Sequence, residues 1–150
     1  MRVAIACDHA GFPLKNAVIE AVKKAGHEPI DLGTSSTDRV DFPDFAEKAG
    51  RAIISGDADR GIVMCGSGVG VCITINKIKG IYAGLISDVY SAHQGVEHDE
   101  MNVICLAGQI IGKVMAQELV ASFLDAEPME VDRYKKRVKK IKRIENEFFK

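Results

Sequence analysis

Three glycines in five residues, Gly66, Gly68 and Gly70, follow directly on Cys65 and bracket Ser67 and Val69. Glycines at alternate positions let a backbone turn tightly and aim several N–H groups at one point, which makes a site for a negative group. That group could be a phosphate, or an oxyanion formed during a reaction. Cys65 opens the loop, where oriented N–H groups favour a thiolate. A thiolate there could act as a nucleophile with a histidine partner. It could also act as a base on a carbon-bound proton, with the loop stabilising the enediolate. The plain alternatives are a tight strand–helix turn and an inert buried thiol. The loop does not fit the dinucleotide fingerprint, because the third glycine would fall at Val71. Asp88 does stand near the distance expected of a ribose-binding acid, so a nucleotide-binding module stays open. With no G-K-[S/T], a Walker loop is excluded.

Asp8 and His9 form a second candidate pair, a carboxylate and an imidazole suited to proton transfer or anion binding. The alternative is that Asp8 caps the next helix and His9 is a solvated loop residue. His98 is followed by Asp99 and Glu100. His93 and His98 are five apart and do not share a helix face as metal ligands would. Cys7, Cys65, Cys72 and Cys105 include no C-x-x-C and no zinc spacing, so no metal site is expected. Cys7, Cys72 and Cys105 read as reduced, buried thiols. Arg133 and Arg137 are four apart on one helix face and could grip one phosphate.

Alternating strand and helix patterns must position these residues. Arg2–Cys7, Glu28–Leu32, Arg60–Cys65, Tyr82–Ile86 and Val103–Leu106 read as strands. Helices are expected over Pro13–Ala25, from Pro43 to about Ser55, from the glycine loop to about Lys77, from Asp88, from about Ile110 to Leu124, and over Asp132–Glu147. Strands that are apolar throughout suit burial on both faces, so the expectation is α/β: a three-layer α/β/α fold with a five-stranded parallel Rossmann-like sheet and an extra C-terminal helix. If the strand order begins 2-1-3, the winding reverses between the first and third strands. The loops carrying Asp8-His9 and Cys65–Gly70 would then share one crevice.

The chain has 150 residues, 47% hydrophobic and 27% charged, which fits one globular domain over 1–150 and excludes a collagen-like or disordered chain. No apolar run reaches the length of a membrane span and the first residues make a poor signal peptide, so no membrane partner and a cytoplasmic location are expected. Net charge is −1 overall. Residues 129–150 hold nine Lys/Arg against four Asp/Glu. That basic segment offers only Tyr134 to stack on a base, so no nucleic-acid partner is expected.

Taken together, C-D-H-A-G at 7–11, D-x-P-D at 41–44, C-G-S-G-V-G at 65–70, N-K at 76–77, E-H at 97–98, N-V at 102–103 and R-x-x-x-R at 133–137 resemble ribose-5-phosphate isomerase type B, a family grouped with galactose-6-phosphate isomerase. The resemblance implies an aldose–ketose isomerase acting on a phosphorylated sugar, most directly ribose 5-phosphate, with another tetrose or hexose phosphate as the alternative. It implies Cys65 as the base between carbon-2 and carbon-1. Gly66, Ser67, Gly68, Val69 and Gly70 would form the oxyanion nest, and His98 would open the ring with Asp8 nearby. It also implies His9, Arg133 and Arg137 as phosphate ligands, no metal or organic cofactor, and a homodimer or dimer of dimers with shared active sites. Three positions depart from the family pattern. Asp99 stands where Asn is usual, Gln109 where an Arg often binds phosphate, and Tyr134 where His is common. Asp99 and Gln109 thus belong to the expected substrate-binding set with altered charge.

Overall fold

Val3–Cys7, Arg60–Cys65 and Val103–Ala107 are buried at every residue, as strands covered on both faces must be. In the computed structural model, which describes residues 1–149, the elements in order are β1 (Arg2–Cys7), α1 (Phe12–Lys24), β2 (Glu28–Asp31), α2 (Phe42–Ile54), β3 (Arg60–Cys65), α3 (Val69–Ile75), β4 (Ala83–Leu85), α4 (Val89–Asp99), β5 (Val103–Ala107), α5 (Lys113–Asp125) and α6 (Asp132–Phe148). The sheet is wholly parallel, in the order β2-β1-β3-β5-β4. The winding therefore reverses between β1 and β3, and the α/β expectation of a five-stranded sheet flanked by helices holds.

Side chains alternate along each strand and so feed two cores. On one face Val3, Ile5, Ile62, Met64, Ile104 and Leu106 meet α1, α4 and α5. On the other, Ala4, Ala6, Val63, Cys65 and Cys105 meet Ala46 and Ala49 of α2 and Val71 and Ile75 of α3. The small residues of this second face let α2 lie close to the sheet. Arg60, 8% exposed, donates to the carbonyls of Phe123 and Ala126 at 2.7 and 2.8 Å and so satisfies the C-terminal end of α5.

Three elements are shorter than the sequence expectation by two residues or more, and the other ends shift by one at most. α5 begins at Lys113, not Ile110, because the extended backbone of Gly112 caps it and the N–H groups before it are engaged elsewhere. β4 is three residues long, since the Tyr82 N–H donates to the Asn102 side chain instead of a strand. α3 stops at Ile75. Asn76 then turns its side chain back to the outer side of β4, where its Oδ1 accepts from Ala83 N–H at 2.9 Å and its Nδ2 donates to the Ala83 carbonyl at 3.0 Å.

α6 crosses the end of the sheet where β4 and β5 begin. Glu145 accepts from Gly80 N–H and from the Tyr82 hydroxyl, both at 2.6 Å, and Lys142 pairs with Glu100 at 2.7 Å. Burial together with the Glu145 carboxylate pushes the Tyr82 phenol far above its ordinary range. Only Val138 of this helix is buried; Ile141, Ile144 and Phe148 remain exposed. Among the described residues no helix is long and apolar enough to cross a membrane.

Candidate active site

The loops that leave the carboxyl ends of β1, β3 and β5 converge. Asp8 N–H donates to the Met64 carbonyl at 3.2 Å, Gly108 N–H to the Cys65 carbonyl at 2.8 Å, and Gln109 N–H to the Gly66 carbonyl at 2.9 Å. The last two bonds decide how the glycine loop points. A trans peptide sets its C=O and N–H on opposite sides, so carbonyls drawn toward β5 turn the N–H groups of Gly66 and Ser67 away from it. Among the described residues the N–H groups of Gly66, Ser67 and Gly68 have no acceptor. Gly68 has φ +75°, and a side chain there would strike Leu85 and the Leu106 backbone, so this turn demands glycine. Three unpaired donors in one turn form a nest for an anion.

Cys65 is the last residue of β3, 5% exposed, and immediately precedes this nest. Asp8, also 5% exposed, accepts from Ala10 and Gly11 N–H groups through Oδ1, both at 2.9 Å. One carboxylate oxygen thus shapes the turn into α1, and Oδ2 has no hydrogen-bond partner among the described residues. His9 is half-buried, and its Nδ1 accepts from Val40 N–H at 3.2 Å. An Nδ1 that accepts leaves the proton on Nε2, so the neutral ring offers an N–H outward. Ser67 is exposed, and its Oγ accepts from Val69 N–H at 3.3 Å. Gln109 is exposed, with its amide lying against Gly66. The Phe42 ring occupies the space that a side chain on Gly70 would need. Sequence reasoning missed Phe42, and the D-x-P-D motif around it was the available signal.

His98, Asp99, Arg133 and Arg137 form a separate group. α4 runs against the strand direction, so its last turn lies where β5 begins, at the opposite end of the sheet from Cys65. The separation is roughly 15 Å, the rise of five strand residues. His98 stacks on Tyr134 with ring centroids 3.9 Å apart, and Arg133 lies 4.7 Å over the other ring partner, donating to the Tyr134 hydroxyl at 3.0 Å. Tyr134, at a departure from the family pattern, therefore couples the imidazole to the arginine helix. Gln94 Nε2 donates to His98 Nδ1 at 3.0 Å, which again leaves Nε2 as the N–H. Gln94 gave no signal in the sequence. Asp99, Arg133 and Arg137 are exposed. Asp88 caps α4 by accepting from Ser91 N–H at 2.6 Å, a bond that lowers its carboxyl and gives it a structural task in place of ribose binding.

The other thiols divide. Burial pushes Cys7 up to about 11, and the hydrogen bond to Cys72 together with burial raises Cys105 well above the ordinary thiol range. Cys72 corrects the expectation of an inert buried thiol. It is half-buried, and donation from Cys105 with help from the Asn76 amide brings it down to about 7. Among the described residues no group of three or more His, Cys, Asp or Glu side chains could hold a metal ion.

Residues 3–141 match the family model described as Ribose/Galactose Isomerase. The chain is 38% identical over 144 residues to ribose-5-phosphate isomerase B of Escherichia coli, covering 96% of each chain. It is 38% identical over 126 residues to the galactose-6-phosphate isomerase subunit LacB of Clostridium acetobutylicum, covering 84% of this chain and 73% of that one. The fold matches a crystal structure of Mycoplasma genitalium ribose-5-phosphate isomerase B with bound ribulose-5-phosphate at a TM-score of 0.89, with 36% identity and 97% of each chain covered.

Proposed function

The chain belongs to the ribose/galactose isomerase family and is a sugar-phosphate isomerase, and on that premise we propose that it interconverts ribose 5-phosphate and ribulose 5-phosphate in the cytoplasm, as one isomerase domain over residues 1–150. The observation that carries the mechanism is the set of three unpaired N–H groups at Gly66–Gly68, the residues that follow Cys65 at the end of β3. In ring opening His98 delivers its Nε2 proton to the ring oxygen, Asp8 takes the proton of the anomeric hydroxyl through its second carboxylate oxygen, and solvent carries that proton back to His98. The Cys65 thiolate takes the carbon-2 proton of the open aldose. The electron pair moves onto the carbon-1 oxygen, and the nest of Gly66, Ser67, Gly68, Val69 and Gly70 holds that oxyanion. A proton passes between the two oxygens, and Cys65 returns its proton to carbon-1 to give the ketose. His9, Arg133 and Arg137 bind the phosphate, and Asp99 and Gln109 flank it. No step calls for a metal or organic cofactor.

The separation of Cys65 from His98 within one chain supports a homodimer, or a dimer of dimers, in which each site takes Asp8, His9, Cys65 and Gln109 from one protomer and His98, Asp99, Arg133 and Arg137 from its partner. The exposed apolar residues Ile141, Ile144 and Phe148 of α6 suit burial in such an assembly.

A panel of tetrose, pentose and hexose phosphates, compared by kcat/KM in buffer with EDTA, tests the substrate. Ribose 5-phosphate should rank first. A higher kcat/KM for a tetrose or hexose phosphate would reassign the sugar and keep the chemistry, consistent with the neutral amide at 109 and the carboxylate at 99. Arg137→Ala removes one charge-assisted phosphate contact, worth about 1.5–3 kcal/mol. KM should rise roughly ten- to a hundredfold with kcat less affected. An equal loss on an unphosphorylated sugar would show that Arg137 serves folding or assembly.

A further inference from the structure

Lys15 is a buried cation that the mechanism above does not use. It lies on α1, 7% exposed, with Nζ donating to the Thr34 carbonyl at 2.7 Å and pairing with Asp31 at 3.0 Å. A lysine is almost never buried without such partners. Its partners sit at the root of one segment, residues 32–41, which leaves β2 and crosses over β1 to reach α2. The root is fixed further by Thr34 N–H donating to the Cys7 carbonyl at 3.0 Å. Gly33 is wedged between the Cys7 sulfur and the Lys15 stem, where a side chain would meet both within 3.2 Å. The far end of the same segment carries Val40, whose N–H is the partner of His9 Nδ1.

We propose that Lys15 is a positioning residue for the reaction: it anchors the 32–41 segment so that Val40 N–H holds His9 in the single tautomer that presents Nε2–H to the substrate phosphate. Without an anchor at Thr34, the Val40 N–H drifts and the imidazole of His9 exchanges its proton between Nδ1 and Nε2. The share of that population with its proton on Nδ1 presents an Nε2 lone pair to an anion, which repels it. The phosphate end of this inference rests on the reading of His9 as a phosphate ligand.

The test uses Lys15→Met, Lys15→Arg, Val40→Pro and His9→Gln in the full chain. Nitrogen-15 spectra of the labelled histidines report the tautomer, with His9→Gln assigning the His9 signals. In the unchanged chain His9 should show one protonated and one accepting nitrogen. Lys15→Met should average the two and raise KM for the sugar phosphate roughly three- to tenfold, the worth of one hydrogen bond, with kcat held within about twofold. Lys15→Arg keeps a donor and a positive charge and should restore the single tautomer. Val40→Pro removes the N–H itself, so it should reproduce both effects, and the double variant should be no worse than either alone. An unchanged His9 tautomer in Lys15→Met overturns the proposal, as does a KM that stays put while kcat falls with the folded fraction. Additive KM losses in the double variant overturn it too. If His9→Gln leaves KM unchanged, the phosphate reading of His9 fails, while the tautomer spectra still judge the anchor.

Discussion

Cys65→Ala should bind the sugar phosphate with nearly unchanged Kd and turn it over at least ~10²–10⁴-fold more slowly, the usual worth of a general base. The substitution removes a thiol and leaves the Gly66–Gly68 donors, Asp8, His9 and the loop from β5 that orients the nest. The methyl group that remains suits a site walled by Val71 and Ile75. The readouts are kcat and the incorporation of solvent deuterium at carbon-1 and carbon-2. Near-normal turnover with normal exchange would remove Cys65 from the mechanism. Cys72 is the informative control. Its hydrogen bonds outweigh burial and bring its thiol down to about 7, yet its partners are Cys105, Asn76 and the Ala83 carbonyl, none of them a nest donor. Cys72→Ala should therefore keep catalysis, and Cys7→Ala and Cys105→Ala should cost stability through packing. A collapse of kcat in Cys72→Ala alone would transfer the role of base to that thiol.

Mixing two inactive proteins should regenerate activity. Cys65→Ala takes the proposed base from the half of the site that holds the nest, and His98→Ala takes the proposed ring-opening group from the half at the other end of the sheet. If a site draws one half from each protomer, a mixed dimer holds one site with both defects and one with none. Random exchange of subunits at equal amounts makes half the dimers mixed, so activity should recover to about a quarter of that of the unaltered enzyme. Each parent alone stays near background. The measurement is activity after unfolding and refolding the two variants together, against each refolded alone. No recovery, with mixed dimers verified by mass, would mean that both halves act within one chain and that a rearrangement brings them together.

The residue types foretold the fold through the strands. Arg60–Cys65 and Val103–Leu106 lack alternation, which suits burial on both faces, and the regular succession of strands and helices implies a parallel sheet between them. The crevice between the β1 and β3 loops followed from the reversal of winding. What stayed hidden depends on partners remote in sequence. Ile110 and Ile111 extend the helical pattern of α5, but the preceding N–H groups serve the Cys65 and Gly66 carbonyls, so the helix waits for Gly112. Lys15 sits beside Leu14 and Val18 and reads as the polar edge of an amphipathic helix; only the path of the 32–41 segment buries it. The thiol of Cys72 depends on Cys105, thirty-three positions away, which no local pattern reveals. The remoteness of His98 from Cys65 is a topological fact: a helix that returns antiparallel to its strands carries its last turn to the opposite end.

The small bond pattern at Asn76 bears on how copies of this chain meet. A side-chain amide that gives and takes a hydrogen bond with one residue imitates a neighbouring strand, so Ala83 offers no free pair of backbone groups to an incoming chain. At the other margin of the sheet Pro29 lacks an N–H, and Glu28 and Asp31 carry like charge along the same rim. Both margins are thus poor templates for ladder extension, the route by which folded α/β proteins polymerise without limit. Any association is left to the helices and loops, whose irregular surfaces suit a closed assembly with a fixed number of copies. If each site is shared between protomers as proposed, a chain with half a site at each end of its sheet stays safe in a crowded solution because the sheet has nothing to offer at its sides.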